Sequence, residues 1–195
     1  METNIIPQTD KNIGVLFSGG TDSTLLLYQV SKTHPESKLY LWSGSRLDDK
    51  QFNLKNINDI LLKLKLNNIG AHNIVTFKDR EDGKQKRAKL HKQFVEMFNL
   101  DCMVNGFTLN PPEDLGEGRD EKRDVVRSNK SEQNGITYYM PFVSLTKKDI
   151  AKQYEENGIR DSLFPLTVSC EAVEPPRPCK KCWWCKERYW GFGEY

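Results

Sequence analysis

Two groups of residues in this 195-residue chain have the types and spacing to do chemistry. The first is Phe17-Ser18-Gly19-Gly20-Thr21-Asp22-Ser23-Thr24, set between two apolar runs. Paired glycines let a backbone turn tightly and bring its N–H groups against an anion. A helix starting there adds unpaired N–H groups and the positive end of its dipole. Ser18, Ser23 and Thr24 contribute hydroxyls. No lysine follows in the G-x-x-x-x-G-K-[ST] manner, so this is a phosphate loop of a different kind. A bare carboxylate repels phosphate, so Asp22 suits contact through Mg²⁺. The second group is Cys170, Cys179, Cys182 and Cys185, spaced C-x8-C-x2-C-x2-C. Two intervening residues let neighbouring sulfurs turn onto one ion, and four thiolates make a closed structural Zn²⁺ site. Such runs also hold iron–sulfur clusters, and free thiols or disulfides are the third alternative. Cys102 stands apart in an apolar segment and is expected to be a core thiol.

The elements around these groups alternate. Residues 13–17, 38–42, 73–77 and 102–107 read as strands. Between them, residues 25–30, 51–66 (with Phe52, Ile57, Ile60, Leu61 and Leu64 on one face) and 87–98 read as helices. Alternation of this kind predicts an α/β fold of three layers, a mostly parallel sheet with helices on both faces. Ligands in such sheets bind at the carboxyl ends of the strands, so Ser18, Gly44, Lys78 and Gly106 are expected on one rim. Arg46 follows the second strand on that rim and is a candidate for contacting nucleotide or substrate. Residues 110–135, rich in charge and glycine, are expected to form a lid or a mobile loop. Residues 136–143 resume a regular pattern. Thr146-Lys147-Lys148-Asp149 resembles a capping box, and the helix it opens is expected to end at Gly158. Two units are anticipated, an α/β domain over residues 1–165 and a cysteine knuckle with an aromatic tail over 166–195.

S-G-G-x-D-S after an apolar strand resembles the signature of the PP-loop ATP pyrophosphatases, which split ATP into AMP and pyrophosphate. Joined to the four cysteines, it resembles the 7-cyano-7-deazaguanine synthases, the QueC family. Residues 141–150, Pro-Phe-Val-Ser-Leu-Thr-Lys-Lys-Asp-Ile, are similar to that family's P-L-x-x-L-T-K-x-E-I. Ser169-Cys170 and the Arg188 to Gly191-Phe192 ending are similar as well. The resemblance implies an adenine-nucleotide alpha-hydrolase-like fold. It implies ATP bound by residues 17–24, with Ser18 and Asp22 in the catalytic machinery beside the rim candidate Arg46, and Mg²⁺ and Zn²⁺ as cofactors. It also implies a deazapurine-type carboxylate and ammonia as substrates, and a homodimer. In that family the carboxylate is adenylated, ammonia displaces AMP to give an amide, and a second activation gives a nitrile. The middle of the chain departs from the pattern. Ser43-Gly44-Ser45-Arg46-Leu47-Asp48-Asp49-Lys50 stands where the family shows Y-G-Q-R-H-x-x-E, and the V-P-x-R-N and G-Y-P-D-C-R segments are missing. The rival readings are a PP-loop enzyme that thiolates or amidates tRNA, and a non-catalytic module that binds Zn²⁺ and ATP.

Composition agrees with a globular chain, 37% hydrophobic and 29% charged with a net charge of +2. Near-balance gives no global reason to expect nucleic acid or an anionic membrane as partner. No apolar run has the length of a membrane span, and the polar start resembles no secretory signal. Reduced cysteines at metal spacing fit the cytoplasm. Trp183, Trp184, Tyr189, Trp190, Phe192 and Tyr195 crowd the tail beside Arg177, Lys180, Lys181, Lys186 and Arg188. They are expected to pack around the knuckle or at a subunit interface rather than stack on bases. The basic stretch 84–92 is expected to be a solvated helix face. His34, His72 and His91 fall in no ligand or catalytic pattern.

Overall fold

In the computed structural model, residues 2–47, 51–133, 135–171 and 178–195 are described. Expectations at Asp48, Asp49, Lys50 and Arg177, and for the Phe52 side chain, lie outside the described residues. Strand β1 (Asn12–Leu16) runs into the glycine loop and helix α1 (Thr21–Thr33). There follow β2 (Lys38–Arg46), α2 (Gln51–Leu64), β3 (Ile69–Phe77), α3 (Arg80–Phe98) and β4 (Cys102–Val104). The chain then forms β5 (Lys130–Gln133), β6 (Ile136–Tyr139), α4 (Lys147–Glu156), α5 (Arg160–Leu163) and α6 (Trp183–Phe192). The sheet order is β3-β2-β1-β4-β6-β5, all parallel except β5, which pairs antiparallel with β6.

Period-two alternation in the central strands builds both cores. Ile13 and Val15 of β1, with Leu39 and Leu41 of β2, face a cluster shared with α1, α2, α4 and Phe192 of α6. Leu16, Tyr40 and Trp42 face the other side, against Phe94 and Phe98 of α3. Gly14 leaves room for that second layer, since a Cβ there would lie 2.2 Å from Met103 Sδ. Each fully buried Leu, Ile or Phe stabilises the fold by roughly 1.5–3 kcal/mol. The strand order reverses between β1 and β4, which opens a crevice at their carboxyl ends.

Four sequence expectations are corrected. Strand β2 continues to Arg46, because Ser43, Gly44, Ser45 and Arg46 pair with Ile74, Val75, Thr76 and Phe77. Gly44 therefore lies within a strand and not past its end. Strand β4 stops at Val104, short of the expected residue 107, and Gly106 stays on the rim. Helix α3 begins at Arg80 rather than at residue 87, where Asp79 accepts a bond from Asp82 N at 2.9 Å. Residues 110–135 are not loop throughout. They supply the edge strand β5 and bury Arg123, whose side chain is 5% exposed. No helix among the described residues is long and apolar enough to cross a membrane.

Candidate active site and metal centre

The glycine loop is held from within and from outside. Ser18 N donates to Ser23 Oγ at 3.2 Å, Gly20 N donates to Ser18 Oγ at 3.3 Å, and Ser23 Oγ donates to Gly20 O at 3.2 Å. Val168 N, from the segment before the cysteines, donates to Gly19 O at 3.1 Å. Gly19 adopts φ +76°, and a Cβ there would lie 2.9 Å from Ile57 Cγ1. Gly19→Ala therefore combines a left-handed backbone cost of about 1–2 kcal/mol with a clash against α2. Thermal melts should show the loss, and added ATP should raise the melting temperature less than in the wild type. Behind the loop, Ser43 Oγ donates to Phe17 O and meets His72 Nε2 at 2.8 Å. Tyr154 Oη donates to Thr21 O at 2.8 Å.

A cleft of about 610 Å³ opens above the loop. Residues 17–23 form one side, and Gly106 closes against them, its ideal Cβ only 3.1 Å from the Asp22 carbonyl carbon. Arg46, at the end of β2, lines the cleft and donates to Glu171 O at 3.3 Å. Lys84, Arg87 and His91 of α3 form another wall. Part of the expected solvated helix face thus borders the cleft. Desolvation, with a smaller contribution from the Arg87 charge, lowers the His91 pKa from 6.5 to about 4. The unfolded chain therefore takes that proton at higher pH than the folded one. Stability from this group is full above about pH 6.5 and is lost as pH falls toward 4. Urea midpoints should decline over that window, and less steeply in His91→Asn.

The strongest electrostatic feature escaped the sequence reading. Lys147 Nζ donates to both oxygens of Asp22 at 2.6 Å, with its own side chain 4% exposed. The same ammonium lies 3.8 Å from Glu187 Oε2, and Glu187 Oε1 accepts from Arg123 Nη2. Arg123 also donates to Thr108 O and Thr108 Oγ1, both at 2.9 Å. Asp22, Lys147, Glu187 and Arg123 thus form an alternating row of charges that joins the loop, α4, α6 and the 110–135 segment. Gly191 permits the approach, since a Cβ there would lie 2.4 Å from Lys147 Cγ. Arg188 is committed elsewhere, donating to Thr167 Oγ1 and Phe164 O.

The four cysteines converge. Their sulfurs all lie within 4.8 Å of one another, unlinked by disulfides, with Cys179 and Cys185 Sγ 3.9 Å apart. A tetrahedral Zn²⁺ with bonds near 2.3 Å needs sulfurs roughly 3.8 Å apart. The donor set therefore fits one ion, whereas a cubane cluster ties each cysteine to a different iron and holds them further apart. Lys180 sits at φ +61° and turns the Cys179-x-x-Cys182 knuckle. Burial opposes ionisation of Cys179, but N–H groups of Cys182 and Lys181 outweigh it and bring its pKa down to about 6. Cys102 is a separate buried thiol, raised by desolvation. Of the tail aromatics, Trp183 and Phe192 are buried, Trp184 and Trp190 are half-buried, and Tyr189 and Tyr195 are exposed. Phe192 joins the core, and Lys148 lies 4.3 Å from the Trp190 ring centroid.

The family model described as "Queuosine biosynthesis protein QueC" matches residues 121–195, which hold all four cysteines, Lys147 and Glu187. The carboxyl-terminal 75 of this chain's 195 residues are therefore similar to the QueC family. Two solved structures share the fold. One is the U34-tRNA thiolase NcsA from Methanococcus maripaludis with its [4Fe-4S] cluster, with a TM-score of 0.51 and 14% identity, covering 91% of this chain. This chain spans 63% of the thiolase. The other is NMN synthetase from Francisella tularensis, with a TM-score of 0.54 and 10% identity, covering 97% of this chain and 79% of the synthetase. No curated protein matches the chain as a sequence relative. The glycine loop lies outside the segment the family model reaches, and the fold brings it to Lys147 inside that segment.

Proposed function

We propose that this QueC-like protein uses ATP to adenylate a small aromatic carboxylate and passes the acyl group to ammonia, as in forming 7-cyano-7-deazaguanine from 7-carboxy-7-deazaguanine. One observation carries this reading. Lys147, from the QueC-matched segment, meets Asp22 of the glycine loop, so the two signatures form one site.

A carboxylate resists ammonia because its leaving group would be oxide. In the proposed step a carboxylate oxygen attacks the α-phosphorus of ATP, and the bond to the β-phosphate breaks with its electrons leaving on pyrophosphate. Ammonia then attacks the acyl carbon, AMP departs with the C–O electron pair, and one proton is lost to give the amide. In a second round the amide oxygen takes the adenylyl group, and loss of AMP and both amide protons gives the nitrile. Loop N–H groups with Ser18 and Ser23 hold the phosphates, and Lys147 offsets charge near the leaving pyrophosphate. Asp22 is the carboxylate that would hold Mg²⁺, which when bound neutralises the phosphates. Arg46 contacts nucleotide or acid from the β2 end. Cys170, Cys179, Cys182 and Cys185 would hold Zn²⁺ in a structural role, fastening α6. Most of the protein's work is positioning.

The test is to incubate protein with ATP, Mg²⁺, ammonia and 7-carboxy-7-deazaguanine, following pyrophosphate and the deazapurine by mass. Pyrophosphate with amide or nitrile is expected. Pyrophosphate released only on adding tRNA would overturn the small-acid reading, and nucleotide binding without turnover would overturn catalysis.

A further inference from the structure

A second cavity, of about 390 Å³, joins the cleft on the α3 side and shares with it Leu16, Lys84, Arg87, His91 and Asn105. Its outer wall comes from β5, β6 and the residue after β6, through Ser131, Gln133, Tyr138 and Met140. Two residues that line it carry a buried polar atom with no hydrogen-bond partner among the described residues: His91 Nε2 and Tyr138 Oη. These residues are only 8% and 6% exposed. Trp42, which lines the main cleft, lies edge-on to His91, with centroids 4.3 Å apart. Buried polar groups are normally paired, and two orphans beside one hollow mark groups that a ligand satisfies. At the rim the exposed Arg87 forms no hydrogen bond or ion pair among the described residues. Its helix neighbours Lys84 and Lys86 are paired with Glu81 and Asp82.

We infer that this cavity is the acceptor subsite. It takes a flat, nitrogen-bearing aromatic acid whose ring lies between α3 and β6, with His91 and Tyr138 bonding its polar edge and Arg87 holding its carboxylate at the mouth facing the glycine loop. The inference rests on the function proposed above and adds the location and residues of the acid's site. Several observations favour it. Aromatic side chains line the hollow, suiting a planar ring. Burial keeps His91 neutral, so it offers one donor and one acceptor to a heterocycle instead of competing with Arg87 for the carboxylate. A guanidinium pairs with a carboxylate in two parallel bonds. The hollow suits one bicyclic acid.

The experiment titrates 7-carboxy-7-deazaguanine into wild type, Arg87→Gln and Tyr138→Phe by calorimetry, and titrates ATP with Mg²⁺ into the same proteins separately. Arg87 is exposed, so its replacement leaves the fold intact. The expected result is tenfold or greater weakening for the acid in Arg87→Gln, severalfold weakening in Tyr138→Phe, and ATP affinity within twofold of wild type in both. The inference is overturned if wild type binds ATP but not the acid, or if Arg87→Gln binds the acid normally. It is also overturned if Arg87→Gln loses ATP in parallel, which would make Arg87 a phosphate contact, or if a tRNA anticodon stem-loop rather than the acid depends on Arg87. Arg87-dependent acid binding without pyrophosphate release would instead retain the subsite and refute the adenylation chemistry.

Discussion

Replacing Lys147 with methionine should reduce pyrophosphate release by about 10²–10³-fold, the range typical of removing one preorganised charge-stabilising group. Methionine keeps the length and fills the space beside Gly191, so the lost ammonium is what the assay reads. The change leaves Asp22 without its cation and moves Glu187 from two cationic neighbours to one. Breaking a buried pair by removing one partner costs about 3–5 kcal/mol, and the 22% exposure of the Asp22 side chain puts the loss at the low end. Stability and catalysis can be separated by adding Asp22→Asn, which removes the orphaned carboxylate. The double variant should regain most of the urea stability and none of the activity. Full activity in Lys147→Met would remove the ammonium from the chemistry and leave it a structural ion pair.

Removing the metal proposed at the four cysteines should also cost stability and activity, through a different route. The four sulfurs hold the start of α6, whose N-cap is Cys182, and α6 carries Glu187 to the charge row. Elemental analysis is expected to give one zinc per chain and no broad visible absorption from iron. With a strong chelator four mutually close thiols remain with nothing to balance them, and in Cys185→Ser three remain without a full ligand set. If the metal contributes about 4 kcal/mol or more, a small part of the binding energy of structural zinc sites, the melting temperature should fall by about 8–16 °C. Pyrophosphate release should fall with it, because Glu187 no longer orders Arg123 and Lys147. An unchanged melting temperature after verified metal loss would show that α6 is held by Phe192 and its packing alone. Iron and labile sulfide in the purified protein would replace the zinc assignment with a cluster.

The features legible in the sequence were local ones. The loop declared itself through six adjacent residues, and α4 through its capping box, in which Thr146 N donates to Asp149 Oδ2 at 2.7 Å. Gly158 follows that helix at φ +64°. The first half of α3 was hidden because residues 80–89 carry almost no apolar stripe and include Gly83, so the helix depends on its Asp79 cap and on ion pairs. The end of β2 was hidden because Ser43-Gly44-Ser45 has the composition of a turn, and only the neighbouring β3 makes it a strand. The partnership of Lys147 with Asp22 spans 125 positions and no local pattern encodes it. One clue was available. A lysine in the first turn of a helix opposes the dipole, which asks for a compensating anion nearby. Glu187 gave a similar signal, a lone acid between Lys186 and Arg188.

The row from Asp22 through Lys147 and Glu187 to Arg123 stitches together four stretches of chain with charge instead of apolar contact. Grease forgives exchange, because one leucine replaces another at modest cost; an alternating ionic row does not. A chimera that grafts the cysteine-bearing end of one such protein onto the loop-bearing start of another would fold around an orphaned carboxylate or ammonium unless all four residues travelled as a set. The two halves are thus matched to each other through that row and not through apolar packing alone.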